Sequence, residues 1–203
     1  CFIVFEGIDG SGKSTQISLL KEHIEEHSIN CMTTMEPSNG PIGTLLRQFL
    51  SGRIKGEETT LTALFAADRL DHLNNPVNGI CKLLEDGIAV ISDRYVFSNY
   101  AYQSVSVPLE WIMKCNEMAN ETVRPDCHIF IDVAPETAMD RVSKGRHQTD
   151  IYETLDRLTD VRERYLDLIH RMEDVENIII IDGNRPEKEI ADDIWAKVCH
   201  YFV

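Results

Sequence analysis

Short apolar runs alternate with amphipathic stretches along the whole chain. Phe2-Ile3-Val4-Phe5 is uninterrupted and ends at Glu6-Gly7, which predicts a buried strand. Lys13–His27 follows with Ile17, Leu20 and Ile24 on one helical face. A weaker strand is expected over Asn30–Met35, closed by Pro37. Pro41–Leu50 predicts a helix with proline near its start and Ile42, Leu45, Leu46 and Phe49 inward. Leu61–Leu73 predicts another helix, continued by Val77–Glu85 after a break at Pro76. Ile88–Ile91, between Gly87 and Ser92-Asp93, is a second buried strand. Phe97–Gln103 and Leu109–Asn120 predict helices, Cys127–Val133 a strand and Glu136–Ser143 a short helix. Lys144–Asp150 reads as a polar, basic connection, Tyr152–Met172 as a long amphipathic helix, Asn177–Asp182 as the fifth strand and Pro186–Phe202 as the last helix. Strands that alternate with helices of this length pair in parallel, so the pattern predicts an α/β doubly wound sheet.

Composition narrows the function more than the fold. The 203 residues suit a single domain over 1–203 with a small lid. Twenty Lys and Arg face 34 Asp and Glu, a net charge of −14. Nucleic acid and anionic membrane both need clustered cations, so neither is an expected partner, and an anionic ligand can bind only where the few basic residues converge. No apolar run approaches the roughly 20 residues of a membrane span, and the start carries no signal-peptide pattern. The six cysteines include no C-x-x-C pair and no zinc pattern, which predicts reduced thiols in a cytoplasmic protein.

The first strand is followed by Gly7-Ile8-Asp9-Gly10-Ser11-Gly12-Lys13-Ser14, which fits G-x-x-x-x-G-K-[ST] at every fixed position. Glycines let the backbone turn its N–H groups toward phosphate oxygens, and the following helix adds its positive end. Lys13 is the expected cation for the β- and γ-phosphates, and the Ser14 hydroxyl the expected Mg²⁺ ligand. Asp93 ends an apolar strand at the edge where such sheets bind ligands, so it is placed to hold the Mg²⁺ shell, partly through water; the alternative is a plain helix cap. A regulatory GTPase would carry N-K-x-D, and no Asn here is followed by Lys. A small kinase needs a second anion site. Arg47, Arg69 and Arg94 lie on separate segments, and Phe65 and Arg69 are four apart on one helical face, suited to a ring that carries a phosphate. Phe65 taken alone reads as a core residue before a ring-facing one. Ser98, Asn99, Tyr102 and Gln103 offer polar groups for a base edge, or an exposed polar face.

These motifs together resemble the thymidylate kinase family of P-loop nucleoside monophosphate kinases, in its bacterial form, over nearly the whole chain. Gly7–Ser14 with acidic Asp9, Glu36-Pro37 after the second strand, Phe65-Ala66-Ala67-Asp68-Arg69, Asp93-Arg94-Tyr95 with Ser98, Tyr102 and Gln103, and Asp150-Ile151-Tyr152-Glu153 carry the likeness. Met35 stands where an arginine is usual, and Ser38-Asn39-Gly40 replaces a Gly-Gly-Thr turn. The resemblance implies a P-loop kinase fold, with a five-stranded parallel sheet of order 2-3-1-4-5 flanked by helices, a short lid at about 141–152 and a homodimer. It implies transfer of phosphate from ATP to dTMP with Mg²⁺. Lys13, Arg94, Arg146 and Asp9 would be catalytic, and Gly7–Ser14 (Gly7, Ile8, Asp9, Gly10, Ser11, Gly12, Lys13 and Ser14) with Arg141 and Lys144 would bind ATP. Asp9, Glu36, Pro37, Arg47, Phe65, Arg69, Arg94, Ser98, Asn99, Tyr102, Gln103 and Tyr152 would bind dTMP, with Arg47, Arg69 and Arg94 on its phosphate and Tyr152 against the sugar. The basic cluster Arg141, Lys144 and Arg146 stands out in an acidic chain and is the expected second source of cations. A kinase for another nucleotide or deoxynucleoside, or a nucleotide-binding protein without catalysis, remains open on these grounds.

Overall fold

The computed structural model describes residues 1–145 and 154–202. Five strands form one parallel sheet: β1 Phe2–Glu6, β2 Cys31–Met35, β3 Ala89–Asp93, β4 Cys127–Asp132 and β5 Ile178–Asp182, in the order β2-β3-β1-β4-β5. The expected order is therefore the observed one. β1 is buried at all five positions because helices cover both sheet faces and strands cover both its edges. Phe2 pairs with Val90 on one side, and Ile3 pairs with Cys127 on the other. At the sheet margins burial weakens, so β2 begins at buried Cys31 and is then largely exposed, with Met32 and Met35 facing outward around Thr33 and Thr34, as an edge strand allows.

The helices are α1 Lys13–Glu26, α2 Pro41–Leu50, α3 Glu58–Asn74, α4 Ile80–Glu85, α5 Val96–Gln103, α6 Leu109–Cys115, α7 Glu117–Thr122, α8 Pro135–Gly145, α9 Leu155–Met172 and α10 Glu187–Val198. α1 packs on α10 and β2, and α5 packs on α9. The apolar stripe of α1 is buried as its spacing predicts. Four expectations change. Leu109–Asn120 is two helices, divided at fully buried Asn116. Leu45 is exposed, and α2 buries only Gly43 and Leu46. α4 starts at Ile80, leaving Val77 exposed in the preceding turn. Lys144 belongs to α8 rather than to the connection after it. No helix among the described residues is long and apolar enough to cross a membrane, and the six cysteines are free thiols.

This topology sets the site. The segments that follow β1, β3 and β5 leave the same edge of the sheet. They bring together Gly7–Gly12, Arg94-Tyr95 and Gly183–Pro186, which are far apart in sequence.

Candidate active site

The turn after β1 is built from glycine at positive φ. Gly7, Gly10 and Gly12 have φ of 144°, 81° and 96°, a region that side chains with a Cβ rarely enter. Gly10 also lies so close to α8 that a Cβ would run into the Ala138 carbonyl. Lys13, at the first turn of α1, is only 6% exposed, and its Nζ donates to the Gly7 and Ile8 carbonyl oxygens at 3.0 and 3.1 Å. Burial, with the neighbouring Arg94 charge, pulls its pKa down to about 8 against the pull of Asp93, Asp9 and Glu6. Ser14 Oγ donates to Asp93 Oδ2 at 3.1 Å, while the buried Asp93 Oδ1 has no hydrogen-bond partner. That orphaned carboxylate oxygen beside a hydroxyl fits a hard divalent cation completed by phosphate and water. Among the described residues no group of three or more His, Cys, Asp or Glu could hold a metal without such help.

A cavity of about 750 Å³ opens over this turn. Its walls include Gly10–Gln16, Asp93, Arg94 and Arg141, and also Arg185, Glu187 and Ile190 from the segment after β5. The last three carry no motif, and only their place after a predicted strand end marks them. Arg141 on α8 donates to the Ser11 carbonyl at 3.4 Å and the Gly183 carbonyl at 3.0 Å, tying the two turns together.

Arg94 stands at the mouth of a second cavity. It adopts φ of 76°, unusual for a residue with a side chain, while its N–H donates to the Phe5 carbonyl at 2.8 Å. Its guanidinium pairs with Asp9 at 2.7 Å and donates to Ser98 Oγ at 2.9 Å and Tyr102 Oη at 3.1 Å. Tyr102 in turn donates to Asp9 Oδ2 at 2.7 Å. Burial alone would raise the Asp9 pKa, but the Arg94 and Lys13 charges and the Tyr102 hydroxyl outweigh it and bring it to about 2. Beneath them lies Glu6, which the sequence does not single out. Its carboxylate accepts from Ser98 Oγ at 2.5 Å, Tyr165 Oη at 2.9 Å and the Tyr95 N–H at 2.9 Å, and burial raises its pKa in spite of these bonds.

The second cavity, of about 210 Å³, is lined by Glu36, Pro37, Arg47, Phe65, Arg69, Ser98, Asn99, Tyr102 and Gln103, with Leu50 and Tyr95 besides. Phe65 is half-buried and lies outside the core cluster of described residues, which favours a ring-facing role over a core one. Arg47 donates to the Pro37 and Ser38 carbonyls at 2.9 and 2.7 Å, so it keeps its net charge. Arg69 is different. It is 1% exposed, gives Nε and Nη2 to Glu36 Oε2 at 2.9 and 2.6 Å, and bonds Asn116 and the Tyr95 carbonyl besides. The expectation that it forks the acceptor phosphate is corrected, because this buried guanidinium is already taken up by Glu36, Asn116 and the Tyr95 carbonyl. His72 closes this network, facing Glu36 Oε1 at 3.3 Å and Thr34 Oγ1 at 2.6 Å. Asp9, Met35, Glu36 and Arg94 line both cavities, so the two meet there. Arg146 and Tyr152 lie outside the described residues.

A family profile described as thymidylate kinase matches residues 5–194. The chain belongs to the thymidylate kinase family. It is 37% identical to a thymidylate kinase of Symbiobacterium thermophilum over 202 residues, covering 95% of this chain and 90% of that protein. A probable thymidylate kinase of Methanobrevibacter smithii is 37% identical, covering 98% and 95% of the two chains. One of Methanocaldococcus jannaschii is 38% identical, covering 93% and 89%.

Proposed function

We propose that this thymidylate kinase family member transfers a phosphoryl group from ATP to dTMP, forming dTDP and ADP. The observation that carries this reading is the meeting of the two cavities at Asp9 and Arg94. A donor over the phosphate loop and an acceptor in the second cavity then present their phosphates to each other, and alignment supplies much of the catalysis. Lys13 offsets charge on the donor phosphates. Ser14 Oγ and the Asp93 carboxylate would hold Mg²⁺, partly through water, and the bound ion would neutralise charge on the transferring group. Arg94 and Arg47 hold the acceptor phosphate. The acceptor is already an anionic oxygen, so no strong base is needed. Asp9, held ionised, keeps the Arg94 guanidinium aimed at the junction. Phe65 stacks the base, and Arg69, Asn99 and Gln103 meet its edge. Arg141 and Lys144 add cations around the donor, and the family resemblance would add Arg146 there and give Tyr152 the sugar as its contact.

The same reading treats residues 1–203 as one P-loop domain acting in the cytoplasm. The homodimer rests on the family resemblance. Coupled ADP release measured with dTMP, dUMP, UMP, CMP, AMP and thymidine tests the assignment. The highest kcat/KM is expected with dTMP. A higher value with any other acceptor overturns the substrate, and absence of turnover with all of them, alongside ATP binding, favours a nucleotide-binding protein.

A further inference from the structure

Asn116 lies where the expected single helix breaks, fully buried between α6 and α7. Its backbone closes one helix and opens the next, and its side chain joins Arg69 to Asn99. Amide oxygen and nitrogen differ only in hydrogen-bonding sense, so the partners decide which way such a group faces. Here both ends are decided by partners that cannot reverse. A guanidinium only donates, so Arg69 requires the Asn116 oxygen on its side. A carbonyl only accepts, so Ile112 O, at 2.8 Å, requires the Asn116 nitrogen on the other. The second hydrogen of that nitrogen reaches Asn99 Oδ1 at 2.8 Å. Asn99 must therefore turn its oxygen toward Asn116 and its nitrogen away, and that nitrogen donates to Gln103 Oε1 at 3.0 Å. The sense of each bond from Arg69 to Gln103 is thus inherited from a fixed charge at one end.

Asn99 lines the acceptor cavity with one oxygen lone pair and one N–H still to offer. Beside it Arg69 can only donate. A ring carrying a carbonyl next to an N–H complements a donor next to an acceptor. A ring carrying an amino group next to an unprotonated nitrogen meets donor with donor and acceptor with acceptor.

We propose that Asn116 is a positioning residue that sets the choice between a 4-oxo and a 4-amino pyrimidine by fixing the orientation of the Asn99 amide. This rests on reading the second cavity as a pyrimidine nucleotide site. Asn116→Asp keeps the acceptor for Arg69 but removes the donor to Asn99, so the Asn99 and Gln103 amides should reverse together. The ratio of kcat/KM for dTMP over dCMP is expected to fall by about tenfold or more, through KM for the nucleotide monophosphate, with KM for ATP held within about threefold. Asn116→Ala, which imposes neither orientation, should lower the ratio less. A purely structural role would lower turnover with both acceptors equally and leave the ratio alone. An unchanged ratio in a folded variant overturns the proposal while leaving the dTMP assignment intact. A wild-type protein that does not prefer dTMP overturns the assignment itself. In the wild-type protein the Asn99 side-chain amide should also resist hydrogen exchange in NMR spectra, whatever the folding of the variants. Exchange as fast as that of a surface asparagine contradicts the relay.

Discussion

Lys13 titrates within the working range of an enzyme. Burial and the Arg94 charge lower its pKa to about 8, so the free protein loses this cation just above neutral pH. The protonated form is the one that attracts phosphate, so kcat/KM for ATP should fall as pH rises through about 8, with one proton lost. A profile flat to pH 9.5, measured with saturating acceptor, would show that phosphate binding does not use this ammonium. The spacing G-x-x-x-x-G-K-[ST] identifies Lys13 from sequence because a backbone cradle constrains neighbouring residues. It carries no information on burial, which comes from strands and turns that close over the lysine from elsewhere. For the same reason Glu6, Tyr165 and Asn116 carry no local signal. Glu6 and Tyr165 are 159 positions apart and meet only once β1, α5 and α9 have packed. Arg69 was recognisable as part of a pair with Phe65, but its neutralisation by Glu36 depends on a contact 33 positions away.

At the level of elements, α8 and the phosphate turn form one unit. Arg141 ties α8 to carbonyls of two turns, and Gly10 leaves no room for a side chain against Ala138, with Val142 Cγ2 only 3.0 Å from where a Cβ would sit. Gly10→Ala must tolerate φ of 81° and push α8 outward. The combined cost is roughly 2–4 kcal/mol, enough to lower Tm by about 5 °C or more in a chain of this size. Because α8 carries Arg141 over the donor cavity, KM for ATP should rise more than KM for dTMP. A variant with unchanged Tm and an unchanged KM for ATP would mean that α8 and the turn move independently. Element type was readable throughout: four strands are apolar runs, β2 is a weaker one marked by the Pro37 that closes it, and the helices show apolar positions at helical spacing. The break at Asn116 was not, because the side chain that stabilises it reaches beyond the helix it closes, to Arg69 on α3 and Asn99 on α5, as well as back to the Ile112 carbonyl.

Across the molecule, acid stability should depend on a histidine in the sheet. His128 on β4 is 1% exposed, packs edge-on against Phe97 at 4.5 Å and leaves Nδ1 without a partner. Glu176 faces its Nε2 at 3.8 Å, but that carboxylate is engaged by Arg124 at 2.7 Å. Burial brings the His128 pKa down to about 3. The unfolded chain takes up this proton near pH 6.5 and the folded chain only near 3, so stability is complete above the first value and falls as pH drops between them. Asp9, whose pKa is about 2 in the fold, adds a further loss only below about pH 4. His128→Leu should therefore flatten the dependence of Tm on pH between 6.5 and 4. A slope equal to the wild-type slope would place the acid sensitivity elsewhere. The sheet order itself was legible only through family resemblance, because periodicity reveals strands but not their neighbours. That order also governs how the molecule is made. β1 occupies the centre, yet its partners are β3 and β4, so it leaves the ribosome long before either exists. The one strand buried along its whole length must wait, unpaired, while the ribosome adds its neighbours, and a nascent chain halted before β4 holds a central strand with one edge open. Chaperone capture of such stalled chains, more than any fault in the finished enzyme, is then where slow synthesis of this protein would be felt.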